Sequence, residues 1–220
     1  MTSVPPSPDP ESGPPMRPVT GRRRAAVPRL STGTLDDVVP GSLLVAMPAL
    51  TDPNFAGTVV YVLDHNDTGT LGVVLGRPSQ VEIRDVLPGW CDLAVEPGVF
   101  HVGGPCETDT ALCLASCPGA AAEAPGLRRV AGDVYLVDLD ADPDALDSGL
   151  AGLRVFAGYA GWSPGQLAAE VAEGAWACVP GTPGDVLSDL SGPQLWRTVL
   201  ARQTGRLAVL STAPADPSAN

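Results

Sequence analysis

The chain has 220 residues, a 44% hydrophobic content and a formal net charge of −12 at pH 7. That is enough apolar material for a real core, and the wrong sign for gripping nucleic acid over a broad surface. All 13 basic residues are arginine, so a Schiff-base lysine, a pyridoxal phosphate anchor and a phosphate-binding P-loop are excluded.

Residues 1–36 hold eight of the 24 prolines and five arginines against three acids, a net +2 that leaves −14 for the remainder. Such a stretch buries too little apolar area to offset its ordering entropy and is expected to be a disordered tail. Its Arg22-Arg23-Arg24 run is open to contact with an acidic partner or to simple solvation. No apolar segment of signal-peptide type follows the start, and the longest apolar runs, such as Val59–Leu63, fall far short of the ~20 residues of a membrane span. A cytoplasmic protein with no membrane association is the expectation.

The first strand is predicted at Ser42–Ala46, an apolar run ended by Pro48. Gly57–Leu63 and Thr70–Leu75 flank the polar stretch His65–Gly69 and read as a hairpin. Further strands are expected at Val99–Val102, Thr110–Ala115, Asp133–Leu139, Leu153–Tyr159 and Trp176–Val179. Helix starts are marked by a capping side chain followed by proline, at Asp142-Pro143, Ser163-Pro164 and Thr182-Pro183. A final helix from about Pro193 to Gln203 would place Leu195, Trp196, Val199 and Leu200 on one face. Many strands, few helices and no regular βαβ alternation favour an α+β fold. The expected division is a tail over 1–36, a domain over 37–207 and a flexible C-terminal tail over 208–220.

Several apparent motifs weaken under their own chemistry. Gly161–Gly165 (GWSPG) has the form of a nucleophile elbow between a strand and a helix. However, Pro164 lacks the N–H that would form half of an oxyanion hole, and both histidines precede Ser163. The alternative is a capping box in which Ser163 and Gln166 satisfy each other's orphan amides. Asp138, Asp140 and Asp142 resemble the opening of a calcium loop, but its sixth position is Pro143 and its twelfth Gly149. The five cysteines include Cys113 and Cys117, four apart, with only His65 and His101 as further soft ligands and no metal spacing. Cys113 reads as a buried thiol. No metal and no cofactor is expected. Gly103-Gly104-Pro105 lets the backbone come close to a ligand or to another strand, and a bend at a strand end is the better reading.

Together these segments resemble the AlgH/YqgE family. The matching residues are Gly41–Pro48 (GSLLVAMP), Asp52-Pro53 with Phe55, His65, Gly72–Pro78 (GVVLGRP), Gly103–Pro105, Phe156–Trp162 (FAGYAGW), Pro164–Leu167, Glu170, Gly174–Trp176 and Leu195-Trp196. The likeness spans about residues 38–205, outside the tail. It implies one α+β domain whose bifurcated sheet folds into a pseudo-barrel with a few short flanking helices. The family takes its name from a proposed role in the transcriptional regulation of alginate production, so a regulatory role is implied, although no DNA-binding motif is visible. Two positions depart from the family: Gly76 stands where it usually has asparagine, and Cys106 where it has valine. A turn needing positive φ explains the first.

Two functional classes follow. One is a non-catalytic protein that binds an unknown protein or small-molecule partner, with no assigned catalytic residue. The other is an enzyme with a shallow polar site around His65, Arg77, Gly103 and Gly104, to which Tyr159 is a further candidate. Each candidate has a structural alternative, His65 as a turn cap and Arg77 as the partner of a surface acid. A concavity uniting the five residues would favour a ligand site.

Overall fold

Apolar runs such as Leu43–Ala46 and Val59–Leu63 lack the in/out alternation of a half-exposed strand. They belong to strands buried on both faces. The computed structural model describes residues 38–119, 123–146 and 149–212, so the tail over 1–36 lies outside the described residues. The strands are β1 (Ser42–Ala46), β2 (Val59–Asn66), β3 (Gly69–Val74), β4 (Pro78–Glu82), β5 (Val99–Val102), β6 (Cys106–Ser116), β7 (Glu123–Ala124), β8 (Leu127–Ala131), β9 (Val134–Val137), β10 (Gly152–Trp162) and β11 (Trp176–Pro180). The helices are α1 (Ile83–Val86), α2 (Pro143–Leu146), α3 (Gln166–Glu173), α4 (Pro183–Val186), α5 (Gly192–Ala201) and α6 (Gly205–Leu210), with a 3-10 turn at Pro88–Leu93.

The strands form one curled sheet in the order β11-β1-β2-β3-β10-β6-β9-β8-β7, from which β5 and β4 branch. Strand β10 makes the fork. Its C-terminal end pairs with β3 (Ala160↔Gly72), its longer N-terminal part pairs with β6, and β5 lies parallel to its middle (Phe156↔His101). The result is a single α+β domain with a half-barrel sheet.

Burial follows from this curl. Leu43, Val45, Tyr61, Val73, Leu114 and Phe156 point to the concave side, where Leu195, Val199 and Leu200 of α5 close the core. Alternate residues of the same strands, Leu44, Val60 and Val62, meet Leu167 and Val171 of α3 on one convex face. The other convex face buries Cys113, Ala115, Tyr135 and Val155 with Ile83, Trp90 and Leu146. No helix among the described residues is long and apolar enough to cross a membrane.

The helix starts expected at Asp142 and Thr182 are found. Asp142 Oδ1 accepts from the Asp144 N–H at 3.1 Å, and the Asp185 carboxylate accepts from the Thr182 N–H and hydroxyl, each at 2.8 Å. The start expected at Ser163 is corrected. Helix α3 begins at Gln166 behind Gly165, and no side chain caps it. Only half of the box forms, with the Ser163 N–H donating to Gln166 Oε1 at 3.1 Å. At the C-terminal end, helix α6 runs to Leu210 and packs Leu207 and Leu210 against the core.

Candidate functional site

The fork is where most of the sequence-predicted residues meet, and backbone explains why. The Val102 N–H donates to Arg77 O at 2.8 Å, the Gly103 N–H to Ala157 O at 2.8 Å, and the Val74 N–H to Gly103 O at 2.7 Å. A Cβ on Gly103 would lie 2.2 Å from Gly158 O, and one on Gly104 would lie 2.2 Å from the Tyr159 carbonyl carbon. Both glycines, at the end of β5, are thus spent on a close approach to another strand. Gly76 has φ +72°, the conformation that explains its departure from asparagine, and a Cβ there would press on Gly192 N at 2.9 Å.

The side chains are engaged one by one. Tyr159 is hydrogen bonded to Glu107, which holds its hydroxyl above the ordinary range, with burial and the charges of Glu107 and Cys106 adding to the effect. Arg77 reaches away from the fork and donates from Nη1 to Asn54 O at 2.8 Å, a carbonyl rather than a surface acid. Burial lowers its guanidinium from the usual value. His65 faces Thr70 across the β2–β3 hairpin, Nδ1 to Oγ1 at 2.7 Å, and so ties the turn. The structure therefore gathers Gly103, Gly104, Tyr159 and the Arg77 backbone, and leaves His65 at the hairpin end. A concavity of about 360 Å³ lies over β8 and β9, and none of the five lines it.

The most specific part of the sequence likeness builds the core instead. Trp162 and Trp176 both donate their indole N–H to Glu170 Oε2, at 2.9 and 2.8 Å, while Gln166 donates to Oε1 at 3.0 Å. Phe55 packs on both indoles, with ring centroids 5.9 and 5.6 Å away. One carboxylate thus satisfies two buried indoles beside the exposed Ser163. The acidic run is likewise engaged: Asp138 Oδ1 accepts from the Asp140 N–H at 3.0 Å. Cys113 and Cys117 are buried free thiols, and burial raises both, Cys117 to about 11.

Sequence reasoning missed the most deeply buried polar pair. His101 on β5 and Arg154 on β10 are 1% and 2% exposed. Arg154 Nη1 donates to His101 Nε2, and Nη2 donates to Glu96 O and Leu187 O, each at 3.1 Å. Its Nε is buried without a partner. His101 Nδ1 lies 3.2 Å from Val99 O, which places the proton on Nδ1 and the lone pair of Nε2 toward the arginine. Burial, then the Arg154 charge, push His101 down to about 4, against a smaller raising effect of the Val99 hydrogen bond. Burial also pushes Arg154 down to about 10, partly offset by Asp189. Both residues lie in apolar strands 53 positions apart, and without the strand register nothing in the sequence joins them.

A half-barrel forked at one shared strand, with its specific motif residues committed to an indole–carboxylate cluster, defines a class of single-domain α+β proteins. The chain belongs to the AlgH-like family, whose model (DUF179) matches residues 43–208. It is 56% identical over 183 residues to a UPF0301 protein of Streptomyces avermitilis, covering 82% of this chain and 94% of that one. Among solved structures, the crystal structure of protein DIP2367 from Corynebacterium diphtheriae is similar with a TM-score of 0.76 at 33% identity, over 80% of this chain and 93% of that one. The solution structure of the AlgH protein from Pseudomonas aeruginosa has a TM-score of 0.58 at 30% identity, over 80% of this chain and 94% of that one.

Proposed function

We propose that this chain is a non-catalytic cytoplasmic protein that acts by binding a small ligand or a partner, with any regulatory output passing through that contact rather than through DNA. The observation that carries this reading is the engagement of each candidate group within the fold: His65 with Thr70, Arg77 with Asn54, Tyr159 with Glu107. A general acid or base needs a free proton-transfer atom facing a space that a substrate can enter. The charge balance of −14 outside the first 36 residues argues in the same direction against DNA as a direct partner.

A thermal-shift screen of metabolites tests the reading, since a ligand that binds the folded state raises Tm by mass action. At least one small molecule is expected to do so without being consumed. Turnover of any of them that is abolished by His65→Asn or Tyr159→Phe, with stability retained, overturns the non-catalytic reading. For DNA, a chain lacking residues 1–36 is expected to bind weakly and without sequence preference at physiological salt. Sub-micromolar, sequence-selective binding by that chain defeats the second half of the proposal.

A further inference from the structure

The concavity of about 360 Å³ lies beyond β6 from the fork, over β8 and β9, and is lined by Gly126, Leu127, Arg128, Leu136, Val137 and Asp138. It is a shallow hollow, open to solvent, that can cover only part of a small molecule. Strand register gives it its chemistry. Arg128 pairs with Leu136 across β8 and β9, so the two share a face, and Asp138, two residues beyond Leu136, lies on that face as well. Leu127 and Val137 turn the other way, into the core of the convex face.

Arg128 and Asp138 are therefore diagonal neighbours, about 7–8 Å apart at the backbone. Unlike charges so placed are free to close on each other, yet the two ion pairs among the described residues are elsewhere, Arg84–Glu82 and Arg202–Asp185. Asp138 is held back by its own turn: Oδ1 accepts the Asp140 N–H at 3.0 Å, leaving Oδ2 open. The Arg128 side chain is exposed. A guanidinium and a carboxylate thus stand apart on one rigid ladder with the half-buried Leu136 between them.

We propose that this concavity binds a small zwitterion, an α-amino acid with an apolar side chain. The α-carboxylate would lie on the Arg128 fork, whose geometry suits two parallel hydrogen bonds. The ammonium would meet the open Asp138 oxygen, and the side chain would cover Leu136. This inference rests on the ligand-binding reading above and names its ligand class. Both protein charges are exposed, so each contact alone is weak, and a Kd on the order of 1 mM is expected.

The test is a ¹⁵N chemical-shift titration of the full chain with L-leucine, up to about ten times that Kd. Saturable shifts are expected at amides 126–128 and 136–138. N-acetyl-L-leucine lacks the ammonium and L-leucinamide lacks the carboxylate, and each should bind roughly tenfold more weakly. Arg128→Gln and Asp138→Asn should each weaken L-leucine by a similar factor. The asparagine keeps the oxygen that the Asp140 N–H needs, so its fold is expected intact. Shifts that do not saturate, or binding of either neutralised analogue as tight as that of L-leucine, overturn the proposal. Saturable binding elsewhere that Arg128→Gln leaves unchanged also overturns this site, while leaving the broader ligand-binding reading in place. That reading falls only with the thermal-shift screen.

Discussion

Two arginines are fixed by the fold of this domain, one exposed and one buried, and they are held in opposite ways. Arg202, at the end of α5, donates from Nη1 and Nη2 to both oxygens of Asp185, at 2.6 and 2.7 Å. Arg154, at the fork, has no carboxylate within ion-pair distance and is held by an imidazole and two backbone carbonyls. The paired cation depends on one carboxylate, with the Pro180 carbonyl as a further acceptor at 3.1 Å. The unpaired cation depends on backbone dipoles that a strand crossing happens to converge, and on keeping His101 neutral. The comparison teaches that a buried charge can be carried by architecture, at the cost of coupling the fold to protons.

The largest effect is expected where one residue carries the neutralisation. Asp185→Ala removes the partner of Arg202 and the acceptor for the Thr182 N–H and hydroxyl, and Asp185 is 5% exposed. Arg202 is exposed and remains solvated, so the cost is that of the lost cap and charge-assisted bonds, about 2–4 kcal/mol in urea unfolding at neutral pH. A loss below about 1 kcal/mol would place the pair with ordinary surface pairs and erase the contrast.

The Arg154 site should reveal itself through pH. His101 has its folded pKa depressed to about 4 from an ordinary 6.5, so between those values the unfolded chain binds the extra proton. Its contribution is therefore complete above pH 6.5 and lost as pH falls toward 4, by about 3 kcal/mol. His101→Gln keeps an acceptor for Arg154 without titrating, and its stability should lack this component of the slope. An unchanged slope in that variant assigns the acid sensitivity to other groups.

A third site combines the two devices, one carboxylate serving neutral donors. Glu170→Gln retains an oxygen for the indoles but loses the charge-assisted bonds, and a cost of about 1–2 kcal/mol is expected. The near-ultraviolet circular dichroism of Trp162 and Trp176 should change with it. The smallest effect is expected at Ser163, whose hydroxyl caps nothing. Ser163→Ala should stay within about 0.5 kcal/mol of the parent, and a fluorophosphonate probe should leave Ser163 unlabelled. Labelling there would restore the nucleophile.

What the sequence discloses follows the same division between local and distant chemistry. Strand β5 is legible at Val99–Val102 to the residue, and the β2–β3 hairpin and α5 are legible within a few residues, because apolar pattern and turn residues lie side by side. Strand β4 is invisible: four of its five residues are exposed and its one partner is β5, so it carries no periodicity. Strand β8, with two arginines on it, is hidden for a similar reason. At the site, the Gly103-Gly104 bend and the His65 turn contact are local and were readable. The Ser163 box misled because its Gln166 half is real while Gly165 moves the helix start past the serine. The His101–Arg154 contact depends on a parallel pairing that no local pattern announces.

The fork has a consequence for how the protein is made. The strand that unites the sheet ends at Trp162, 88 residues after β3 ends at Val74. At ribosomal speeds of about 5–20 residues per second, that interval is on the order of ten seconds. Throughout it, β1, β2 and β3 exist with both outer edges open, because β10 and β11, which flank them in the finished sheet, have not been synthesised. Open apolar edges recruit other strands, so the order of synthesis leaves these edges exposed to wrong pairing until β10 and β11 arrive.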